Sequence, residues 1–266
     1  MKRKIIEMIC IGIIIICVIY VCIEGKDKRK IDKTKEFNSN SVEKYVEEYM
    51  EEIVADEWDN ELIKTMAVII RTGWIYDNVV KKGDTIDGIK NQTEKNKMGN
   101  KELNNRVKAI IVKCIEETCD EIITYHGNVI YPFYHEVSSG ITKSEDKLSG
   151  VKFGYLKEKK CNKDITSKEF FQIKYFNKKD VVDRANKELN FKSYEVMNAL
   201  GLNSVEYSIT TYTENEDILR VVCRGKGHGL GLSIYDANNL AKEGLSYKEI
   251  INSYYKDIVI KKCIYE

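Results

Sequence analysis

Four glycines at alternate positions, Gly225, Gly227, Gly229 and Gly231 in "CRGKGHGLGLSIYDANNLAKEG", constrain this chain more than any other feature. A loop without side chains at every second residue exposes its backbone N–H groups, and here it runs straight into a helix start. His228, one of three histidines in the chain, stands in the middle of it. The spacing G-x-G-x-G-x-G matches neither G-x-G-x-x-G nor G-x-x-x-x-G-K-[ST], so a nucleotide-binding loop is rejected. What remains is a cradle of bare amides with one imidazole, suited to a neutral, hydroxyl-rich ligand as well as to an anion. The alternative is a tight turn whose histidine caps a chain end.

Residues 8–23, "MICIGIIIICVIYVCI", are uncharged and almost wholly apolar. With Ile5 and Ile6 they approach the roughly 17–25 residues that span a bilayer. No A-x-A cleavage site follows, so the span is expected to be an uncleaved anchor. Lys2, Arg3 and Lys4 precede it and Lys26, Lys28, Arg29 and Lys30 follow it, so charge alone leaves the orientation open. The expected organisation is an N-terminus at 1–4, a transmembrane anchor at 5–23, a charged tether at 24–40 and one folded domain at 41–266. Lys+Arg 43 against Asp+Glu 42 gives no basic surplus, which argues against a nucleic-acid partner. Three of the eight cysteines lie in the span and no C-x-x-C pair exists, so neither a disulfide framework nor a Cys-rich zinc site is expected. Cys114 falls in the apolar register of a helix and reads as a small buried hydrophobe.

Beyond the tether, Val42, Tyr45, Val46, Tyr49, Met50, Ile53 and Val54 recur at helical spacing, with Asn40 or Ser41 as the cap and the apolar stripe running to about residue 55. A second helix, from Asp59 or Asn60, is apolar on most sides and therefore central. A polar loop at 81–100 leads to a third helix at about 101–119. "EIITYHGNVIYPFYHEV" reads as a hairpin turning at His126-Gly127-Asn128, and "VEYSITTYTENEDILRVVC" as a second, with a helix near 187–201 before it. Ser246 and Glu249 form a capping box for the last helix. The predicted class is α+β: one extracytoplasmic domain of antiparallel hairpins and packed helices behind a transmembrane helix.

The glycine run followed by "LSYKEIINSYY" resembles the C-terminal signature of the stage II sporulation protein D family, G-x-G-H-G-V-G-M-S-Q-Y-G-A. "VEEYMEEIVADEWDNELIKTMAVIIRT" is similar to the family's segment ending A-Q-A-V-A-A-R-T, "YPFYHEVSSGIT" to its F-H-S-x-S-G-G-x-T, and "GYLKEKKCNKDI" to its Y-L-K-S-V plus Cys/Asp stretch. The resemblance covers about residues 41–258. It implies a membrane-anchored, outward-facing lytic transglycosylase that cuts peptidoglycan glycan strands to 1,6-anhydro ends during engulfment of a forespore, with a cell-wall amidase and membrane engulfment-complex proteins as partners and no cofactor. The alternative is a non-catalytic glycan-binding module that recruits or stimulates an amidase.

The family's catalytic acid falls on Glu57. Independently, Glu57 lies four residues after Ile53 and three after Val54, so a continued first helix would set its carboxyl on the apolar stripe beside Trp58, where desolvation favours the protonated form. Arg71 stands in an apolar run and needs a partner; it is expected either to orient Glu57 or a sugar, or to form a structural ion pair. His135, Ser138 and Ser139 on one wall, His228 and Tyr235 on the other, and Gln92 in the loop complete the predicted substrate-binding set. The zinc cluster that some family members carry in that loop is reduced to Gln92, with no Cys or His from 81 to 100, so no metal is expected. Other departures are Asp56, Met66, Ile69, Ile70, Gly73, Leu232, Ile234 and Asp236.

Overall fold

The computed structural model describes residues 39–79, 104–146, 150–185, 194–212 and 215–263. The predicted anchor at 5–23, most of the tether, and the loop carrying Gln92 lie outside them. Among the described residues no helix is long and apolar enough to cross a membrane.

Helix α1 (Ser39–Ile53) buries Val42, Val46, Tyr49 and Met50, the stripe expected from their spacing. Helix α2 (Asn60–Val79) starts where the Asp59 carboxylate accepts from the Glu61 N–H at 2.9 Å. It buries Leu62, Ile63, Met66, Ala67, Val68, Ile69 and Ile70, side chains pointing in nearly every direction. That is possible because α2 is surrounded. It packs against α1, against α3 (Asn105–Glu117), against strand β1 (Glu121–Tyr125), and against the two C-terminal helices α6 (Ile234–Lys242) and α7 (Tyr247–Tyr254). The isoleucines at 69 and 70 therefore fill the main core. Asn104 caps α3 through the Arg106 N–H, and Ser246 and Glu249 form the expected capping box on α7. Cys114 is buried as read.

Strand β1 turns through His126 (φ 48°) and Gly127 (φ 82°) into β2 (Asn128–Val129), and on its other edge pairs antiparallel with β8 (Ile258–Lys262). The hairpin is shorter than its sequence suggested. After Val129 the chain meets Pro132, which has no N–H to donate, and β3 (Tyr134–His135) instead pairs in parallel with β7 (Leu232–Ser233), directly after the glycine run. One parallel pair thus joins an otherwise antiparallel set.

The second hairpin forms as β5 (Tyr207–Tyr212) and β6 (Asn215–Arg224), but a third strand, β4 (Phe171–Asn177), completes that sheet in the order β4-β6-β5. Its apolar alternation is inverted. Phe171, Ile173 and Tyr175 face outward, 58%, 47% and 56% exposed, whereas Gln172 accepts from the Asn203 N–H at 3.2 Å. Helices α4 (Lys178–Ala185) and α5 (Tyr194–Leu200) cover the other face around a second, smaller core of Val181, Met197, Leu200, Val205 and Val221.

Arg71 belongs to this framework. It is 0% exposed; its Nε and Nη2 donate to the two oxygens of Glu43 at 2.7 Å each, and Nη1 donates to the Glu121 carbonyl at 3.2 Å. Glu43 also accepts from the Asp120 N–H at 3.1 Å, so one bidentate pair fastens α1 and α2 to the start of β1. Arg71 does not orient Glu57; the ion-pair alternative is the arrangement found. Glu43→Ala leaves the guanidinium buried without its partner and should lower unfolding free energy by about 3–5 kcal/mol, with Arg71→Met in the same chain recovering most of the loss. Urea midpoints of the single and double variants measure this.

Candidate active site

The glycine run is a close-approach device. Its backbone and the residue after it exchange hydrogen bonds with the chain on both sides of β3: Lys226 N–H to the Val137 carbonyl at 2.7 Å, Val137 N–H to the Lys226 carbonyl at 3.2 Å, and Leu232 N–H to the Phe133 carbonyl at 3.0 Å. At Gly231 (φ 67°) a Cβ would fall 1.9 Å from the Phe133 oxygen, and at Gly227 (φ 114°) 2.6 Å from the His135 Cβ. Both the dihedral and the space demand glycine.

This contact sets His135 and His228 side by side, ring centroids 5.7 Å apart and 57° inclined. They are 3% and 2% exposed. His135 Nδ1 lies 3.0 Å from the Leu230 carbonyl, and His228 Nδ1 accepts from the Leu230 N–H at 3.0 Å. Burial lowers the His135 pKa to about 4 against the pull of the Leu230 carbonyl. Burial, with repulsion from His135 added, lowers that of His228 to about 3. The Tyr134 backbone favours the charged His228 ring somewhat but makes no hydrogen bond with it, and Nε2 of each ring is buried with no partner.

The two imidazoles and Tyr134 line the floor of a cleft of about 350 Å³. One wall is the end of α1 and the turn after it, with Tyr49, Ile53, Glu57 and Trp58; the other is α6, with Tyr235, Asn238 and Lys242; Ser167 and Glu169 stand at the rim. The Tyr49 and Tyr134 hydroxyls share a 2.8 Å hydrogen bond across the first wall and the floor. Asn238 spans the walls: its Nδ2 donates to the Glu57 carbonyl at 3.2 Å and its Oδ1 accepts from the Asp59 N–H at 2.9 Å. Three carboxylates line the cleft. Glu136 pairs with Lys226 at 2.6 Å, and Glu169 lies 3.8 Å from the same amine. Burial raises the Glu136 pKa although Lys226 opposes it. Glu57 has no basic partner among the described residues.

The sequence profile described as "Stage II sporulation protein" matches residues 30–125. Stage II sporulation protein D of Bacillus subtilis (strain 168) is 25% identical over 259 residues, covering 82% of this chain and 74% of its own. The Bacillus amyloliquefaciens protein of that name is 24% identical over 268 residues, covering 85% and 77%. An uncharacterized protein of Brachyspira hyodysenteriae is 23% identical over 253 residues, covering 84% and 67%. These matches support a divergent member of the stage II sporulation protein D family.

Glu57, His135, His228 and Tyr235 converge on one cleft, and Arg71, Ser138 and Ser139 do not. Glu57 is off the apolar stripe: α1 stops at Ile53, Trp58 N–H closes a turn on the Ala55 carbonyl at 3.0 Å, and the Glu57 side chain is exposed. Among the described residues nothing covers its side chain as the sequence argument required. Ser138 and Ser139 do not line the cleft. Ser138 is buried behind it, its N–H donating to Asp164 Oδ2 at 2.7 Å and its Oγ accepting from the Gly140 N–H at 3.1 Å. Arg71 is equally remote, and Gln92 lies outside the described residues. The acid and thiol groups of Glu43, Cys119 and Asp120 lie close enough to share an ion, but Glu43 is already committed to Arg71 and burial raises the Cys119 thiol, which makes a poor ligand set.

Three groups escaped the sequence reading. Asp164, 0% exposed, holds Ser138 and, through Ser233 Oγ at 2.8 Å, the strand that follows the glycine run. Burial raises its pKa to about 6 against those hydrogen bonds. Asp236 is buried in an ion pair with Lys159 and accepts from the Tyr254 hydroxyl at 2.8 Å. Asn238 was legible in principle. The buried face of α6 is Asp236, Ala237, Asn238 and Ala241, and two polar residues on the core side of a short helix signal a bonding task.

Gly231→Ala should cost about 3 kcal/mol or more, because the backbone pairing of β3 with β7 must open. Gly229→Ala, where the added carbon meets nothing nearer than Lys143 Cγ at 3.9 Å, should cost only the left-handed strain of about 1–2 kcal/mol. Denaturant unfolding of the two variants separates them. Stability should also carry a pH signature. The buried histidines stay neutral while their unfolded counterparts charge, so their contribution is lost as pH falls below about 6.5. Asp164 works oppositely, keeping its proton when folded, so its contribution falls as pH rises from about 4 to about 6. Asp164→Asn, which can still accept from Ser138, should steepen the acid-side loss of stability by about 1.4 kcal/mol per pH unit in that window. Unfolding free energies of both proteins at pH 4.5, 5.25 and 6 test the slope.

Proposed function

We propose that this chain is a lytic transglycosylase acting on the glycan strands of peptidoglycan, with Glu57 as its acid. Membership of the family makes it a sporulation-related cell-wall protein. The observation that carries the finer reading is the state of the three cleft carboxylates. Two share Lys226, and Glu57, on a turn bracketed by Asn238, has no basic partner among the described residues and leaves its carboxyl free to meet a ligand. Its exposure makes the sugar itself the desolvating agent: a glycan filling the cleft would cover the carboxyl and favour its protonated form.

Glu57 gives its proton to the glycosidic oxygen as the C1–O bond of N-acetylmuramic acid breaks. The C6 hydroxyl of the same sugar closes on C1, and its proton returns to Glu57, leaving a 1,6-anhydro end. No water and no second carboxylate take part, in contrast to hydrolysis by a carboxylate pair. The aromatic and polar lining, with Tyr49, Trp58, Tyr134, Tyr235 and Asn238, suits a sugar. We further propose that residues 5–23 anchor the protein in the cell membrane with the domain outside, and that an amidase and membrane engulfment-complex proteins are its partners.

The second reading, a glycan-binding module without turnover, is favoured by one observation, the solvent exposure of the Glu57 side chain. Purified glycan strands incubated with the full chain in detergent, with product ends read by mass spectrometry, decide between the two. Wild type should yield 1,6-anhydro ends, and Glu57→Gln, which keeps the shape but not the proton, should be slower by about 10²–10⁴. Reducing ends would instead recruit a second acid, and Glu136 is then the one to replace. No cleavage by either protein, with equal binding by both, would establish the binding module.

A further inference from the structure

The peptide group of Leu230 fixes the protons on both cleft histidines. A carbonyl oxygen can only accept, so His135 Nδ1, 3.0 Å from it, carries the hydrogen and His135 Nε2 is a bare acceptor. A backbone N–H can only donate, so His228 Nδ1 is bare and, in the neutral ring, Nε2 carries the hydrogen. Protonating either ring further would charge a buried imidazole, and for His228 would also break the Leu230 bond. The floor of the cleft therefore holds one acceptor nitrogen and one donor nitrogen on rings 5.7 Å apart, both buried and both without a partner. Both rings line the cleft, and buried polar atoms without partners are costly unless something completes them.

We infer that His135 and His228 form a subsite for one sugar hydroxyl, the exocyclic hydroxymethyl group at C6 of a sugar next to the one whose C1–O bond breaks, which accepts from His228 Nε2–H and donates to His135 Nε2. The inference rests on the glycan reading given above. A hydroxyl both gives and takes a hydrogen bond at a single oxygen, so it answers one bare acceptor and one donor on neighbouring rings. A trans amide such as the acetamido substituent points its N–H and C=O in opposite directions and cannot serve two neighbouring rings in this way. The rings are recessed, 3% and 2% exposed, which selects the hydroxyl that stands off the sugar ring on its own carbon. Neutral at the pH of growth, the pair orients this hydroxyl without taking its proton, and leaves proton transfer to Glu57.

The residues allow a selective test. Asn at position 135 can still donate to the Leu230 carbonyl, and Asn at position 228 can still accept from the Leu230 N–H, so His135→Asn and His228→Asn keep the loop bonds and delete only the nitrogen facing the cleft. Binding of tri-N-acetylchitotriose and of its 6-deoxy analogue to the full chain is measured by calorimetry. The 6-deoxy ligand should bind wild type about 5- to 100-fold more weakly, each variant should bind the parent ligand more weakly by a similar factor, and the variants should no longer distinguish the two ligands. Imidazole ¹⁵N spectra of wild type should show the two opposite tautomers and a shift of both Nε2 signals on adding chitotriose. If wild type binds both ligands equally well, the subsite assignment is wrong while the glycan reading stands. If wild type binds neither chitotriose nor glycan strands, the glycan reading fails and takes the subsite with it.

Discussion

The approach of two backbones, residues 225–233 against 133–138, is the constraint on which the site depends. Side-chain packing could not bring the segments this close, because a single methyl at position 231 would overlap a carbonyl oxygen. Alternate glycines permit the contact, hydrogen bonds on both edges hold it, and the two-residue parallel pairing of β3 with β7 is its visible product. Everything chemical follows from it. His135 and His228 become neighbours, α6 begins at Ile234 pointed along the cleft, and Tyr235 takes its place on the wall through its N–H to the Glu136 carbonyl at 3.0 Å.

Around this contact the protein buries charge in pairs. Arg71 with Glu43 and Lys159 with Asp236 are each closed by further hydrogen bonds, from Asp120 in the first case and Tyr254 in the second. Asp236 occupies a position that is glycine in the family's signature, and Lys159 and Tyr254 supply what an acid there needs. The acid is therefore paired within the fold and lies outside the cleft lining. Asp164 is the exception, a buried carboxyl held by a backbone N–H and a hydroxyl with no ion pair among the described residues, and burial raises its pKa.

Much of the helical part was legible because helix periodicity is local: the stripes of α1 and α3, the all-round burial of α2 and the capping box of α7 sit where the residues put them. The turn at His126-Gly127 was legible for the same reason. What failed was non-local. Nothing near Tyr134 announces a partner a hundred residues away, so β3 was taken for the arm of a hairpin. Strand β8 was missed because its one neighbour is β1. Strand β4 was missed because its apolar residues point to solvent, against the usual sense of alternation. In the site, residue types placed Glu57, His135, His228 and Tyr235 together, while the reason given for Glu57 assumed a helix that stops four residues earlier. Arg71 was rightly seen to need an anion, but its partner, Glu43, stands 28 residues before it, in the first helix.

Asn238 holds the turn bearing Glu57 from a position 181 residues later in the chain. A ribosome delivers Glu57 long before it delivers Asn238, and contacts of such separation form late because the intervening loop must close first. The nascent protein thus carries Glu57 on a turn without this clamp until the last helices are synthesised. A chain broken off before α6 would lack one whole wall of the cleft as well as the clamp. Completion of synthesis is, in this fold, the event that assembles the site.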